Sequence, residues 1–289
     1  MPTDTQKSLR AAVERRDAIL VPGAGNGLTA RIIEATGFEA AYVTGAGLAN
    51  TRFGVPDIGL VTLSELVEAV AEIADVVSLP LIVDADTGFG NALNMVRTVR
   101  SLERAGADAI QIEDQVFPKR CGHFAGKQVI PVAEMVTKVK AAVDTRQTDL
   151  LVIARTDARA IEGLDAAIDR AAAYAEAGAD LTFVEAPTSR EEMAAITSGL
   201  PLPQVANMVY GGKTPLLPRT ELATLGFSMV LYANAALQAA MKAMDEVLRQ
   251  LHRDGEISRE AAELLASFEV RQRMVDKDAW DALDARYGN

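Results

Sequence analysis

The sequence is short of cysteine and of positive charge. It has one cysteine among 289 residues, so no disulfide can form within the chain, which fits a reducing compartment. Its 40 acidic residues outnumber its 29 lysines and arginines, giving a formal net charge of −11. Nucleic acids and anionic membranes are bound through basic surfaces, so we expect neither as a partner. A small anionic substrate stays open, because a bound cation or placed arginines can reverse the potential locally.

Long apolar runs are also absent. Residues 1–16 are polar and lack the apolar core of a signal peptide, and no stretch approaches the length of a transmembrane helix. We therefore expect a cytoplasmic protein. Aromatic residues make up only 5% of the chain, whereas alanine and glycine abound, which is typical of close contacts between helices and a sheet rather than of a β-sandwich.

Eight short apolar runs, each followed by a segment with helical periodicity, recur along the chain. Strands are predicted at 20–25, 41–47, 81–88, 109–115, 150–157, 181–187, 204–208 and 227–233. Helices are predicted between and after them at 29–35, 63–76, 92–105, 132–143, 164–177, 190–197, 220–225 and 235–249. Such βα units with right-handed crossovers close into an α/β fold, the (β/α)8 TIM barrel. A doubly wound open sheet is the alternative, because periodicity does not show closure.

Both ends of the chain carry helices beyond these units. Residues 6–16 predict a short amphipathic helix that covers one end of the fold, and residues 258–268 and 276–286 predict more helix than a barrel needs. We predict a catalytic barrel domain over 1–250 and a C-terminal helical extension over 251–289 that packs on a neighbouring subunit.

Acidic residues end the third and fourth predicted strands. Asp84 and Asp86 end the third, and Glu113 and Asp114 end the fourth. Adjacent strands lie about 5 Å apart, so these carboxylates converge and repel one another unless a proton or a cation intervenes. Oxygen donors without a nearby cysteine or histidine pair favour a hard ion, Mg²⁺ or Mn²⁺. Helix capping and pairing with an arginine explain each acid singly but not the whole group.

A polar loop over 118–127 follows these acids and carries the cysteine. Cys121 follows a lysine and an arginine and precedes a glycine. Nearby cations lower the pKa of a thiol, which suits proton transfer or nucleophilic attack, whereas a packed core thiol is the alternative. His123 either orients a substrate or anchors the loop.

Later strand ends add polar residues, namely Arg155, Glu185 and Asn207. The planar guanidinium of Arg155 suits a carboxylate. The small residues over 44–47 form either a tight turn or a nest of backbone N–H groups that holds a carboxylate.

These residues, in this order, resemble the isocitrate lyase and phosphoenolpyruvate mutase superfamily over about residues 15–250. The resemblance rests on the segments VDADTGFG at 83–90, KRCGH at 119–123, GVPD at 54–57, ARTD at 154–157 and ANM at 206–208. The KRCGH segment resembles the signature of the lyase branch.

The resemblance implies a barrel whose eighth helix is exchanged with a neighbour in a homo-oligomer, a tetramer built as a dimer of dimers. It implies Mg²⁺, with Mn²⁺ as the alternative, held directly or through water by Asp57, Asp84, Asp86 and Glu113. It implies substrate binding by Thr44, Gly45, Ala46, Gly122, Arg155 and Asn207. It implies Cys121 as the catalytic acid. We also predict Lys119 and His123, in the same loop, as catalytic residues, with Glu185 or a metal-bound water as the candidate base.

The resemblance also bears on the substrate. The mutases and related decarboxylases of the superfamily generally lack the cysteine, so Cys121 favours carbon–carbon cleavage. Isocitrate lyases are much longer, and short methylisocitrate lyases usually have an arginine after the histidine to bind a third carboxylate. Phe124 and Ala125 stand there instead, which favours two carboxylates and an alkyl group. Two departures, Thr44 for the usual serine and Tyr210 for an acid, are expected at the pocket.

We therefore predict a Mg²⁺-dependent carbon–carbon lyase that cleaves a 2-hydroxy dicarboxylate, a substituted malate such as 2,3-dimethylmalate, to a 2-oxo acid and a carboxylate. The alternatives are an oxaloacetate hydrolase or decarboxylase, a 2-methylisocitrate lyase and a carboxyphosphonoenolpyruvate-type phosphonomutase. A non-catalytic sensor of a metal–dicarboxylate complex is disfavoured, because the acids, Cys121 and Arg155 are all present.

Overall fold

Parallel strands form a closed barrel in a computed structural model that describes residues 2–120, 122 and 126–288. The strands are β1 (Ile19–Ala24), β2 (Ala41–Val43), β3 (Leu81–Asp84), β4 (Ala109–Glu113), β5 (Leu151–Thr156), β6 (Leu181–Val184), β7 (Gln204–Asn207) and β8 (Phe227–Tyr232). Each pairs with the next, and β8 pairs with β1 through Ile19 opposite Met229. The predicted TIM barrel is confirmed, and this last pairing excludes the open sheet.

Helices surround the barrel. They are α1 (Asp4–Glu14), α2 (Gly27–Thr36), α3 (Gly45–Leu48), α4 (Leu63–Ala74), α5 (Ala92–Ala105), α6 (Val132–Thr145), α7 (Arg159–Glu162), α8 (Leu164–Glu176), α9 (Arg190–Gly199), α10 (Arg219–Leu225), α11 (Ala235–Asp254), α12 (Arg259–Glu263), α13 (Phe268–Met274) and α14 (Lys277–Tyr287). A π-helical turn, Ala49–Phe53, follows α3. The second predicted strand extended to residue 47, but it ends at Val43 because the Thr44 side chain accepts a hydrogen bond from Gly47 N and starts α3.

The apolar core has two layers. One fills the barrel, where residues such as Ile82, Ile153 and Phe183 point inward, and the other lies between the sheet and the helices. Leu9 and Val13 of α1 pack against the inner layer, and Arg10 pairs with Asp149 at 2.6 Å. The N-terminal helix therefore closes one end of the barrel, as predicted, and leaves the C-terminal strand ends as the open end.

The C-terminal helices leave much apolar surface exposed. The helix α11 continues beyond residue 250 to Asp254, and Val247 is its buried residue, whereas Met241, Met244 and Leu248 are more than half exposed. The helix α13 contacts α2 of the same chain. None of the helices in the described part of the chain is both long enough and apolar enough to cross a membrane.

Candidate active site

The ends of the strands surround a cavity of about 40 Å³ at the open end of the barrel. Its lining comes from β2, β3 and β5 to β8, from residues that follow these strands, and from Asp57, Lys119, Arg120 and Gly122. Parallel barrels carry their chemistry at this end, because the loops that follow the strands meet there.

The acids predicted as metal ligands lie around one ammonium group. Lys119 Nζ is 2.5 Å from Asp57 Oδ1 and 2.8 Å from Asp86 Oδ1, and Lys119 is 4% exposed. Asp84 Oδ2 accepts a hydrogen bond from Gly45 N at 3.4 Å. Asp86 has a φ of 48°, in the left-handed region that is uncommon outside glycine, where the chain turns after β3. The loop after β4 thus places its lysine among carboxylates from other loops.

Burial and charge act together on these groups. Burial raises the pKa of Asp86 to about 6, although the nearby Lys119 ammonium opposes the rise. Burial also raises the pKa of Glu113 well above its usual range, against the effect of Arg155. Burial alone would lower the pKa of Lys119, but the negative charges of Asp86, Asp84 and Glu113 outweigh it and raise that pKa well above its usual value. The cluster therefore stabilises added positive charge.

The same cluster fits a hard divalent ion by its donor chemistry. Its donors are carboxylate oxygens, which Mg²⁺ and Mn²⁺ prefer. Glu113 Oε1 is buried and accepts no hydrogen bond from a described residue, so it has a lone pair available. Across residues 2–120, 122 and 126–288, no three Asp, Glu, His or Cys side chains are already grouped tightly enough to hold a metal. Lys119 lies between the acids instead.

Arg155 at the end of β5 connects three buried carboxylates. Its guanidinium lies 3.4 Å from Glu113 Oε2, 2.9 Å from Asp157 Oδ2 and 3.2 Å from Glu185 Oε2. It also lies over the Phe183 ring, 5.2 Å from the centroid. The pKa of Arg155 is raised well above its usual value because the charges of Asp157, Glu185 and Glu113 outweigh the effect of burial. This side chain therefore stays charged and is fixed in position.

The loop that follows β4 packs directly on this arginine. A Cβ added to Gly122 would lie 2.4 Å from Arg155 Nη2, so only glycine fits there without displacement. Lys127 Nζ donates hydrogen bonds to Gly122 O and, at 2.6 Å, to Asp157 Oδ1. The structure thus shows the loop held against the strand ends. Cys121 and His123, with Phe124 and Ala125, lie outside the described residues.

The remaining predicted binding residues line or border the cavity. Asn207 Nδ2 donates to Glu185 Oε2 at 3.3 Å, and Thr44 and Ala46 line the cavity from the start of α3. The Gly45 N–H, expected as part of a nest for a substrate carboxylate, bonds to the carboxylate of Asp84. Tyr210 is 79% exposed and does not line the cavity, so the expectation that it lies at the pocket is wrong; Val209 lines the cavity instead.

Asp114 points away from its neighbour Glu113, whose carboxylate contacts the cavity residue Arg155. Its carboxylate accepts hydrogen bonds from Thr156 Oγ1 at 2.7 Å, Tyr174 Oη at 2.8 Å and Asp157 N at 2.9 Å. These bonds tie β4 to β5 and to α8. Asp114 therefore belongs to the framework and not to the acid cluster, because side chains alternate between the two faces of a strand.

Sequence reasoning missed several polar groups of the site. Asp157 and Lys127 form the buried pair that holds Arg155 and the loop, and both stood in segments already noted. Tyr42 Oη donates to Gln111 Oε1 at 3.0 Å inside the barrel. Asn234, after β8, lines the cavity, although it lies in no motif. Asn234 directly follows the eighth predicted strand, so a search for polar residues at the end of each predicted strand could have found it.

A closed parallel barrel with a carboxylate cluster, a buried arginine and a loop lysine at its strand ends is the architecture of a TIM-barrel enzyme. The family model described as phosphoenolpyruvate phosphomutase matches residues 9–252. The chain belongs to this family, and so to the phosphoenolpyruvate mutase and isocitrate lyase superfamily, as predicted.

Curated relatives cover most of the chain. It is 45% identical to a 2,3-dimethylmalate lyase of Eubacterium barkeri over 252 residues, 87% of each chain. It is 44% identical to a 2-methylisocitrate lyase of Aeropyrum pernix, over 89% of this chain and 92% of that one. Named lyases among the relatives support the predicted enzyme class, a carbon–carbon lyase.

Solved structures agree with this placement. A 2,3-dimethylmalate lyase superposes with a TM-score of 0.92 at 37% identity, covering 100% of this chain and 97% of the other. A phosphonopyruvate hydrolase in complex with oxalate and Mg²⁺ superposes with a TM-score of 0.89 at 33% identity, covering 99% of this chain and 100% of the other.

Proposed function

We propose that the protein cleaves a 2-hydroxy dicarboxylate that carries alkyl groups, with 2,3-dimethylmalate as the compound that fits best. The observation that carries the proposal is the mixed lining of the cavity. Lys119 and Arg155 supply positive charge, and Val209, Leu231 and Ala233 form an apolar wall. The two carboxylates of such a substrate find polar partners there and its methyl groups find apolar contacts, whereas a third carboxylate would face the apolar wall. The similarity to a 2,3-dimethylmalate lyase supports the same choice.

The reaction breaks the bond between C2 and C3 of the substrate. A base takes the proton of the C2 hydroxyl, the C2 oxygen becomes a carbonyl, and the electrons of the broken bond pass to C3. The C3 fragment then takes a proton. From 2,3-dimethylmalate these steps give pyruvate and propionate. We assign the base to Glu185, which lies at the end of β6 and is held by Arg155 and Asn207, and the proton donor to Cys121.

The chain's own groups bind and orient the substrate. Arg155, fixed by its three carboxylate contacts, clamps a substrate carboxylate, with Asn207, Thr44, Gly45, Ala46 and Gly122 around it. Asp57, Asp84, Asp86 and Glu113 would hold Mg²⁺ or Mn²⁺, which polarises the oxygen where charge changes. Lys119 adds a positive charge among the same acids.

Substrate entry requires the loop to move. A cavity of about 40 Å³ holds a few water molecules but is too small for a six-carbon dicarboxylate. Lys127 joins the loop to Asp157 next to β5, so opening would break that bond. Closure after binding would exclude water from the carbanion, a common role of such loops.

A substrate panel tests the proposed function. We expect 2,3-dimethylmalate to give pyruvate and propionate with the highest kcat/KM among 2,3-dimethylmalate, isocitrate, 2-methylisocitrate, oxaloacetate and phosphonopyruvate. Release of 2-oxo acid and carbon and phosphorus NMR of the products measure it. EDTA should abolish the activity and Mg²⁺ should restore it. Turnover of phosphonopyruvate or oxaloacetate alone would replace the proposal with one of the alternatives, and full activity in EDTA would remove the metal from it.

We propose that the C-terminal helical extension over 251–289, with α11, packs on a neighbouring subunit of a homo-oligomer. Leu237, Met241, Met244, Leu248 and Leu251 repeat at helical spacing along one face of α11. This face borders a groove of about 810 Å³ that α2 also lines through Leu28 and Ile32, both about half exposed. Contiguous exposed apolar surfaces often mark interfaces between proteins. We also propose a location in the reducing cytoplasm, because the proposed catalytic role requires Cys121 to stay a free thiol.

Substitution on this face should dissociate the assembly. Met241→Glu with Leu248→Glu places two charges on the apolar face, so we expect a smaller particle by size-exclusion chromatography with light scattering. Lys242→Glu is the matched control, because it adds negative charge on the same helix at an exposed position outside the apolar row. An unchanged mass for the double variant, or a loss of mass in the control, would contradict an interface on this face.

A further inference from the structure

Asn234 stands at a helix start but does not cap the helix. It is the residue before α11, and its side chain makes no capping hydrogen bond. Asparagine is among the best N-cap residues, and Asn26 and Asn91 cap α2 and α5 in this way. The Asn234 side chain therefore gives up a favourable local bond.

The Asn234 amide is instead directed to the cavity. It lines the cavity, and its Oδ1 is buried without a hydrogen bond to any described residue. A buried amide oxygen without a partner is unfavourable, so a group that enters the cavity is the natural partner of this amide. Asn207, the neighbouring amide on β7, also has a buried Oδ1 without a hydrogen bond to a described residue, but its Nδ2 already donates to Glu185. Asn234 is thus an amide whose N–H₂ group is uncommitted within the described residues, and a half-turn about Cβ–Cγ exchanges its oxygen and nitrogen.

The position of Asn234 around the barrel indicates which part of a substrate it meets. In the closed strand order, β8 lies opposite β4, and the acid cluster is at the ends of β3 and β4. Val209, Leu231 and Ala233 form the apolar wall beside Asn234. A dicarboxylate that places its hydroxyl and the adjacent carboxylate toward the acid cluster and Arg155 therefore extends its other carboxylate toward Asn234.

We propose that Asn234 binds the carboxylate of the fragment that leaves as the carbanion, through its amide N–H₂ group. The inference rests on the proposed function, because it takes the cleaved substrate to be a dicarboxylate. Asn234 then holds the propionate half of 2,3-dimethylmalate, and the acid cluster and Arg155 hold the pyruvate half. It touches the substrate but moves no proton.

Product inhibition tests separately the binding of the propionate half and of the pyruvate half of the substrate. We expect Asn234→Ala to raise the KM for 2,3-dimethylmalate and the inhibition constant of propionate about tenfold, the effect of losing one hydrogen bond to a charged group, and to leave the inhibition constant of pyruvate unchanged. Asn234→Asp keeps the size of the side chain but places a negative charge beside the carboxylate, so its KM should rise more. A packing role would instead leave Asn234→Asp near wild type. Asn91→Ala is the control, because it removes a true cap: its Tm should fall with KM unchanged.

The outcomes are distinguishable. Equal weakening of propionate and pyruvate in Asn234→Ala would show a general change of the pocket and would overturn the inference. So would an Asn234→Asp variant that binds propionate as well as the wild type. A wild-type enzyme that cleaves another dicarboxylate of the panel would overturn the proposed substrate only, and the same comparison with the two products of that compound then decides the role of Asn234.

Discussion

Arg155→Met is expected to abolish detectable turnover and to lower the free energy of unfolding by about 3–5 kcal/mol, the range for removing one partner of a buried ion pair. The reason is the number of charges that Arg155 neutralises. Glu113, Asp157 and Glu185 all contact its guanidinium and are at most 2% exposed, so methionine would leave them with little compensation. Urea unfolding and 2-oxo acid release measure the two effects.

Arg155→Lys separates stability from binding. The ammonium keeps the positive charge, so most of the unfolding free energy should return, but it cannot contact three carboxylates and clamp a substrate with one planar fork. We expect activity at least a hundredfold below wild type in the lysine variant, the loss typical of a misplaced clamp. A lysine variant with wild-type kcat/KM would show that charge alone is needed. A methionine variant as stable as wild type would show that the three acids are protonated or otherwise compensated.

Cys121→Ser is expected to lower kcat by a factor on the order of 10² to 10⁴, the contribution of a positioned general acid, while binding of pyruvate and of Mg²⁺ stays close to wild type. Serine is similar in size, but its hydroxyl is a far weaker acid than a thiol. Steady-state kinetics and calorimetry with pyruvate measure the two quantities. Normal cleavage by this variant would remove Cys121 from the role of proton donor.

Alkylation gives an independent test of the same role. Cys121 is the only cysteine of the chain, so iodoacetamide can form one thioether at most. We expect inactivation to follow incorporation of one label per chain, and Cys121→Ser to take up none. Pyruvate with Mg²⁺ should slow labelling if they favour closure of the loop over the strand ends. Full activity of the labelled enzyme would contradict a catalytic thiol.

The barrel could be predicted because its signal is local and repeated. Each apolar run followed by helical periodicity is one βα unit, and the unit alone determines which residues end a strand. Asp84, Glu113 and Arg155 were placed at strand ends on this basis, and the structure has them there. Closure was not visible in periodicity, because it depends on pairing of β1 with β8 across the whole chain.

The partners of these side chains were less predictable, because they are long-range. Lys127 and Asp157 are 30 positions apart and meet only when the loop after β4 lies on β5. Lys119 was predicted as a catalytic residue, and the sequence did not indicate that it would reach Asp57, which is 62 positions away. Asn234 was missed because an asparagine before a helix usually means a cap, and only the tertiary structure shows that the cap is not made.

Substitutions of the two consecutive acids at the end of β4 should have different effects under selection. Glu113 contacts Arg155, which lines the cavity, whereas Asp114 ties β4 to β5 and α8 through Thr156 and Tyr174. A library that varies both positions should therefore give two phenotypes: altered chemistry in soluble protein at 113, and poor expression at 114. Substitution of Glu113 can therefore change the reaction of this scaffold, whereas Asp114 must be retained for the barrel to fold.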